Sequence, residues 1–322
     1  MYRTVQEAHD AASNGDIIYL EPSENGYGNL VSTKSLKIYG NGYNHVNNPG
    51  NWQNYYKKNS QIGEVYLNTG SAGSSFEGLT ILFMNINSSN NLIKRCIFWQ
   101  AISIYNNPDN NQLGSNITFS QCHFADTYSE NIKIIGGVDI SNTNHYVDNI
   151  LIKNCIHPRL SINLLRIAPD IPSARNLSLI SNTEVYSFGN CINCIVNNNI
   201  FNLTYGPGII TNGKLHGSVF SNNVCITGPC VQGVNNIENI IASDVYDMTQ
   251  NGEGWYQVSN SSPAKGAGLG GIDPGVFGGN DPYRLSGLPA IPQITSYSVN
   301  ASSGIYTSST PMTISISVKG NN

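Results

Sequence analysis

Two cations mark the place in this chain with the most suggestive chemistry. Lys133 and Arg166 sit in the apolar segments Asn131-Ile132-Lys133-Ile134-Ile135 and Asn163-Leu164-Leu165-Arg166-Ile167. A third segment, Ala101-Ile102-Ser103-Ile104-Tyr105, precedes them in the same style. In strands, the Ile and Leu flanks point to one face, and Ser103 or Tyr105, Lys133 and Arg166 to the other. On successive coils Lys133 and Arg166 would be near neighbours, with His157 and Arg159 on the adjoining corner. Two cations stacked ~4.8 Å apart repel each other unless an anion lies over them, and a uronic-acid polysaccharide supplies one. Such a site could abstract a proton. A cationic neighbour lowers the pKa of a lysine base, and positive charge stabilises the developing enolate. Lys133 and Arg166 are therefore the expected catalytic pair, with Tyr105, His157 and Arg159 as substrate contacts. The same residues also read as solvated polar side chains on a face without a special role.

Other groups offer less. Trp52, Tyr55 and Tyr56 could stack on sugar rings, or pack their loop onto the body. Asp126, Glu130 and Asp139 lie near Lys133 in sequence and could give oxygen ligands to calcium. Asp139, His145 and Asp148 could bind a metal, but such spacing is common by chance. Cys191-x-x-Cys194 looks like a redox or zinc motif, yet Cys194 falls at a repeat position equivalent to Ile117, which makes it core.

The elements that position these residues come from a repeat. A nine-residue phrase, asparagine–apolar–x–apolar–x–x–(Cys or Asn)–x–apolar, is clear at Asn116–Phe124 and Asn149–His157. Looser copies centre on Leu79, Cys96, Asn182, Asn199, Asn223 and Asp244, with Tyr39 as a degenerate earlier one. From Leu79 to Asp244 the anchors are 17, 26, 33, 27, 17, 24 and 21 residues apart. Such a period with internal alternation signals a solenoid of short strands. Cys96, Cys122 and Cys155 should stack as small buried groups in line with the Asn anchors. The amino end reads as a helical cap: Thr4-Val5-Gln6-Glu7 is a capping box, and Ala8, Ala11 and Ala12 share a helical face. Such a cap covers the apolar core end and its strand edge.

Val5-Gln6-Glu7-Ala8, Gly15-Asp16-Ile17-Ile18-Tyr19-Leu20-Glu21-Pro22 and Lys34-Ser35-Leu36-Lys37-Ile38-Tyr39-Gly40 resemble the opening of right-handed parallel β-helix proteins of the pectate-lyase-like superfamily. Ser262-Pro263-Ala264-Lys265-Gly266-Ala267-Gly268 and Asp273-Pro274-Gly275-Val276-Phe277-Gly278 resemble the closing motif of secreted bacterial members. The resemblance spans about residues 3–280. It implies polysaccharide lyase chemistry, in which a Lys, Arg or His base removes the proton beside a sugar carboxylate that a cation, often calcium, neutralises. The chain lacks the Arg-x-Pro-x-x-Arg of pectate lyases, and the paired aspartates and Arg-Ile-Lys of polygalacturonases.

The expected fold is therefore all-β: a right-handed parallel β-helix of about ten coils, with an N-terminal helical cap and a C-terminal β appendage. Residues 1–280 form the helix and its cap, 281–293 a Pro-rich linker, and 294–322 strands that could begin a sandwich domain. Trp255-Tyr256 should seal the last coil. Composition agrees. Asparagine is about one residue in seven and charged residues are 11%, which suits tight corners and stacked amides. A net charge of −4 without basic clusters argues against nucleic-acid binding, and no apolar stretch approaches a membrane span. The expectation is an exported or cell-surface protein that engages an acidic glycan, with calcium as the one cofactor to consider. A non-catalytic adhesive module, leading into further surface domains, is the alternative.

Overall fold

The computed structural model describes residues 1–46, 58–107, 110–125, 132–138, 144–158, 160–164, 174–185, 191–202, 215–230, 233–290, 292–299 and 312–320. Its backbone is a stack of parallel strands. One sheet, here sheet A, has nine, running in order from Ile17–Tyr19 through Lys37–Tyr39, Ser75–Glu77, Leu92–Lys94, Ile117–Ser120, Ile150–Lys153, Ser178–Ile180 and Ile195–Asn197 to Val219–Ser221. Each middle residue points inward. Ile18, Ile38, Phe76, Ile93, Phe119, Ile152, Leu179, Val196 and Phe220 form one buried row in register. A second face, sheet B, stacks Leu30–Ser32, Gln61–Leu67, Thr80–Ile86, Ile102–Asn107, Ile132–Val138 and Leu160–Leu164, all parallel. This is a parallel β-helix. No helix among the described residues is long and apolar enough to cross a membrane.

The repeat phrase works through its corner. After seven of the nine sheet A strands, and again after the bridge at Val234, one residue takes positive φ: Gly78, Arg95, Gln121, Asn154, Ser181, Asn198, Asn222 and Asn235. Most side chains are strained there, and Asn tolerates it best after Gly. The next residue is the anchor, turned inward. Leu79, Cys96, Cys122, Cys155, Asn182 and Asn199 form one line, because each carbonyl accepts the N–H that follows the next anchor. The line continues through Asn223 to Asn236, whose Oδ1 accepts from the Asn223 N–H at 2.9 Å. Asp244, expected as the last anchor, lies instead in the helical turn Ala242–Val245.

The line changes chemistry half way. Cys96, Cys122 and Cys155 are free, buried thiols. Burial pushes the Cys96 and Cys155 thiols up, so they stay protonated and act as small apolar groups. Beyond them, the Asn199 amide donates to Asn223 Oδ1 at 3.1 Å and the Asn182 amide to Asn199 Oδ1 at 2.9 Å. Cys194 is core, as its repeat position implied, and is disulfide-bonded.

Both ends are covered by polar contacts as well as apolar ones. The Thr4–Glu7 capping box opens the helix Val5–Ala11, which packs on the Leu30–Ser32 strand. Gln6 there imitates a neighbouring strand, accepting from the Val31 N–H at 2.8 Å, and His9 Nε2 accepts from the Thr33 N–H at 3.2 Å. At the other end Trp255 and Tyr256 pack with Ile226, Ile240, Val245 and Val258, sealing the last coil as expected. The segment read as a Pro-rich linker differs from that expectation: residues 281–290 are bonded to the body. The chain ends in an antiparallel hairpin of Gln293–Val299 with Ile314–Lys319.

Candidate functional site: one open sheet face and one covered corner

The outer face of sheet B carries the best candidate site. Its strands are long because the interior side alternates Ile62, Val65 and Leu67, then Ile81, Met84 and Ile86, then Ile102 and Ile104, all buried. The residues between them turn to the other side, where Tyr66, Asn85 and Lys133 are partly exposed and Ser103 is only 5% exposed. Register places Tyr66 beside Asn85, Asn85 beside Ser103, Ser103 beside Lys133, and Lys133 beside Ser161. At ~4.8 Å per strand, Tyr66 and Lys133 stand about 14 Å apart, with the two polar residues between.

Around this row the side chains divide into rings and polar groups. The Tyr66 and Phe83 rings lie 6.2 Å apart at 59°, a tilted pair. Tyr66 donates its hydroxyl to Glu64 Oε2 at 2.8 Å, a bond that raises the phenol's pKa. Trp99 is 51% exposed, and its backbone N–H donates to the Ile81 carbonyl, two residues from Phe83. Asn85 Oδ1 is shielded from solvent yet has no hydrogen-bond partner among the described residues. A shielded amide oxygen without a donor is costly, so a ligand hydroxyl there would relieve it. Rings, one unfilled acceptor, a hydroxyl and a cation together suit a polyhydroxylated ligand laid across the strands.

The expected residues fare unequally. Lys133 is on this face as read, one register step from Ser103. Its neighbour on the following coil is Ser161, five residues short of the expected Arg166. The cationic neighbour that was to lower the lysine pKa is therefore not the residue paired with Lys133. Arg166, Arg159, Trp52 and Tyr55 lie outside the described residues, as do Asp126, Glu130 and Asp139. Tyr105 is half-buried two residues along from Ser103, opposite Ile135. Among the described residues no group of three or more His, Cys, Asp and Glu could hold a metal ion. Asp148 is instead paired with Arg175, whose Nε lies 2.9 Å from Asp148 Oδ1 and whose guanidinium stacks on Tyr146.

His157 corrects the expectation of a surface contact. It occupies a positive-φ corner and is buried. Its Nε2 bonds the Tyr256 hydroxyl at 2.8 Å, and its ring lies 5.6 Å from that of His123. What covers it is a strap, residues 264–290, running back along the corners. The Asn222 amide donates to the Ala267 carbonyl, and Asn198 Oδ1 accepts from the Leu269 N–H. Further along, Asn154 donates to the Val276 and Gly278 carbonyls, Gln121 to Asp281, and Arg95 to the Leu288 carbonyl. The strap lies so close that a Cβ on Gly275, at φ +86, would come within 2.7 Å of Ile200 and Thr183. Under it, buried Glu253 faces His123 at 3.7 Å and accepts from the Asn44 amide and the Ser286 N–H. Burial raises the Glu253 pKa, but His123, the Ser286 N–H and Asn44 outweigh that and hold it below the usual carboxylate value. This corner is filled, and it is structural.

The sequence reading missed Glu64, Tyr66, Phe83 and Asn85. The Gln61–Leu67 coil has no Cys or Asn anchor phrase. Its only signal is the apolar spacing Ile62, Val65, Leu67, repeated at Ile81, Met84, Ile86.

No protein-family model matches this sequence, and no curated protein matches it. Among solved structures the chain is similar to a glycoside hydrolase at 15% identity and a TM-score of 0.34, covering 63% of this chain and 42% of that one. It is also similar to pectate lyase Pel9A at 12% identity and a TM-score of 0.37, covering 82% and 86% of the two chains. The chain thus spans less than half the length of the glycoside hydrolase. Its stacked parallel strands give it the β-helix architecture that resemblance to the pectate-lyase-like superfamily implied. That architecture rests on the strand pairing, and the case for function rests on the residues of the open face.

Proposed function

We propose that this is an exported β-helix protein that binds an extended polysaccharide across the outer face of sheet B. The observation that carries the reading is the row Tyr66, Asn85, Ser103, Lys133 on four successive strands, with an unfilled shielded acceptor at Asn85. Tyr66 and Phe83 stack on sugar rings, Asn85 and Ser103 bond hydroxyls, and Lys133 holds an anionic substituent. Acidic glycans are therefore favoured over neutral ones. The Cys225–Cys230 disulfide supports export, since such bonds persist in oxidising compartments.

Binding is favoured over cleavage because register puts a serine, not a second cation, beside Lys133 on the next coil. The test is retention on immobilised acidic and neutral polysaccharides. Wild type should be retained on an acidic polymer, Lys133→Ala should elute earlier, and added salt should reproduce that shift by screening. A wild type that passes every column unretarded would end the glycan reading and leave the adhesive or structural module. Uronic-acid product absorbing in the near ultraviolet, lost in Lys133→Ala, would instead make the protein a lyase.

A further inference from the structure

The open face of sheet B carries a charge at each end, and the two are opposite. Lys133 marks one end. At the other, Glu64 lies beside Phe83 in register and is turned to the same side as Tyr66, two residues on. Glu64 and Lys133 are three strands apart. Adding the two residues along the strand, their positions are separated by roughly 16 Å.

Glu64 is fixed at both its backbone and its tip. The Gly63 N–H donates to the Gly28 carbonyl and the Glu64 N–H to Asn29 Oδ1, each at 2.9 Å. That loop comes so close that a Cβ on Gly63 would collide with Asn29 Oδ1. Tyr66 steadies the carboxylate by donating its hydroxyl to Oε2 at 2.8 Å. One such bond leaves most of a carboxylate's acceptor capacity unused. Among the described residues no cation pairs with Glu64; Lys58, three residues before the strand, is paired with Glu24 at 2.9 Å. The Tyr66 and Phe83 rings beside it are 6.2 Å apart and tilted at 59°, which lets a cation meet a ring face and the carboxylate together. A sugar hydroxyl would also bond Glu64, but only a charged donor uses both the carboxylate charge and the ring quadrupoles.

We propose that Glu64, Tyr66 and Phe83 form a subsite for the protonated amine of an amino sugar. This rests on the glycan reading above and narrows it. The ligand is a polymer with ammonium and acidic groups on different sugar units, the amine at Glu64 and the acid at Lys133. Asn85 and Ser103 meet hydroxyls between them. Opposite charges at the two ends also fix the direction in which the chain lies across the strands.

The test titrates the full chain with one oligosaccharide of alternating uronic acid and glucosamine units in two forms, with free amines and after complete N-acetylation. The free-amine form should bind about tenfold more tightly. Attraction to Lys133 alone predicts the reverse order, since acetylation removes positive charge from the ligand. Glu64→Gln keeps an acceptor for the Tyr66 hydroxyl, and should bind the two forms within about twofold of each other. Lys133→Ala should weaken both forms and leave their ratio unchanged. Asp244→Asn makes the same change of charge on an exposed residue in the helical turn Ala242–Val245, and should keep the preference. Equal affinity of the two forms in the wild type, or a preference that survives Glu64→Gln, would overturn the subsite and leave acidic-glycan binding standing. A preference lost equally in Asp244→Asn would reduce it to net charge and overturn it too. A dilysine peptide that competes as well as the free-amine glycan would make the occupant a peptide, against the proposal. Binding of neither form would remove the subsite together with the glycan reading.

Discussion

The coils that make up this helix show two outer sides, built by opposite means. At the corner after sheet A, positive-φ residues with long polar side chains reach out, and a strap of backbone carbonyls and N–H groups meets them: Asn222, Asn198, Asn154, Gln121 and Arg95 each hold one length of it. On the outer face of sheet B the polar residues are shorter, aromatic rings stand among them, and the Asn85 acceptor has no described donor. The first side has spent most of its hydrogen-bonding capacity within the fold, although Asn222 Oδ1 there, like Asn85 Oδ1, is shielded without a described partner. The second retains some for a ligand. Polar residues in a row therefore do not identify a site; whether their bonds are already made does.

If that contrast is right, damage to the corner should cost stability and leave binding intact. The largest effect should come from Arg95→Ala. Arg95 is buried, lies 3.2 Å from Glu77, and bonds Gln121 and the Leu288 carbonyl. Its loss strands a carboxylate and a carbonyl, at about 3–5 kcal/mol. Thermal unfolding should show this, and limited proteolysis should cut first within 281–290. Unchanged melting would mean that the strap is an ornament.

Acid should reach the corner next. Glu253 and Asp281 both titrate below the usual carboxylate value: burial opposes this, but His123 for the one and Lys153 with Lys94 for the other prevail. A carboxylate depressed in the folded state contributes stability above its unfolded pKa, and loses it as pH falls through the folded value. The strap should thus loosen below about pH 4, followed by Tyr256 fluorescence or proteolysis. Glu253→Gln should flatten that acid limb. A limb of the same steepness in the variant would remove Glu253 from the account.

Much of the covered side could be read from the sequence, and less of the open one. The corner phrase is local: a positive-φ residue followed by an inward Cys or Asn leaves a mark at each turn, so Cys96 to Asn223 fell into line. Its end was misjudged at Asp244, because Asn236 follows Asn223 after only 13 residues, shorter than any earlier spacing. The strap left no periodic mark, since its bonds join residues far apart, such as Arg95 and Leu288. On sheet B, Ser103 and Lys133 were aligned correctly, but loops of unequal length separate the following strand. A five-residue error there moved Arg166 into the place of Ser161. Tyr66 belongs to a coil without the anchor phrase and Phe83 to one whose anchor, Leu79, is neither Cys nor Asn, and only their apolar alternation announces them.

On the open face the expected changes are smaller and fall on binding alone. Tyr66→Ala should weaken glycan affinity about fivefold, close to 1 kcal/mol for a lost stacking contact, and change stability by less than about 0.5 kcal/mol. Titration calorimetry and melting of the same sample separate the two. A variant that melts early but binds normally would move Tyr66 to the structural side of the comparison.

The claim that the sheet B face, and not the corner, meets ligand is most directly tested by hydrogen-exchange footprinting with an acidic oligosaccharide. The account predicts slowed exchange in Gln61–Leu67, Thr80–Ile86, Ile102–Asn107 and Ile132–Val138, with residues 264–290 unchanged. Protection confined to the strap or its corner, or none anywhere at saturating glycan, would contradict it.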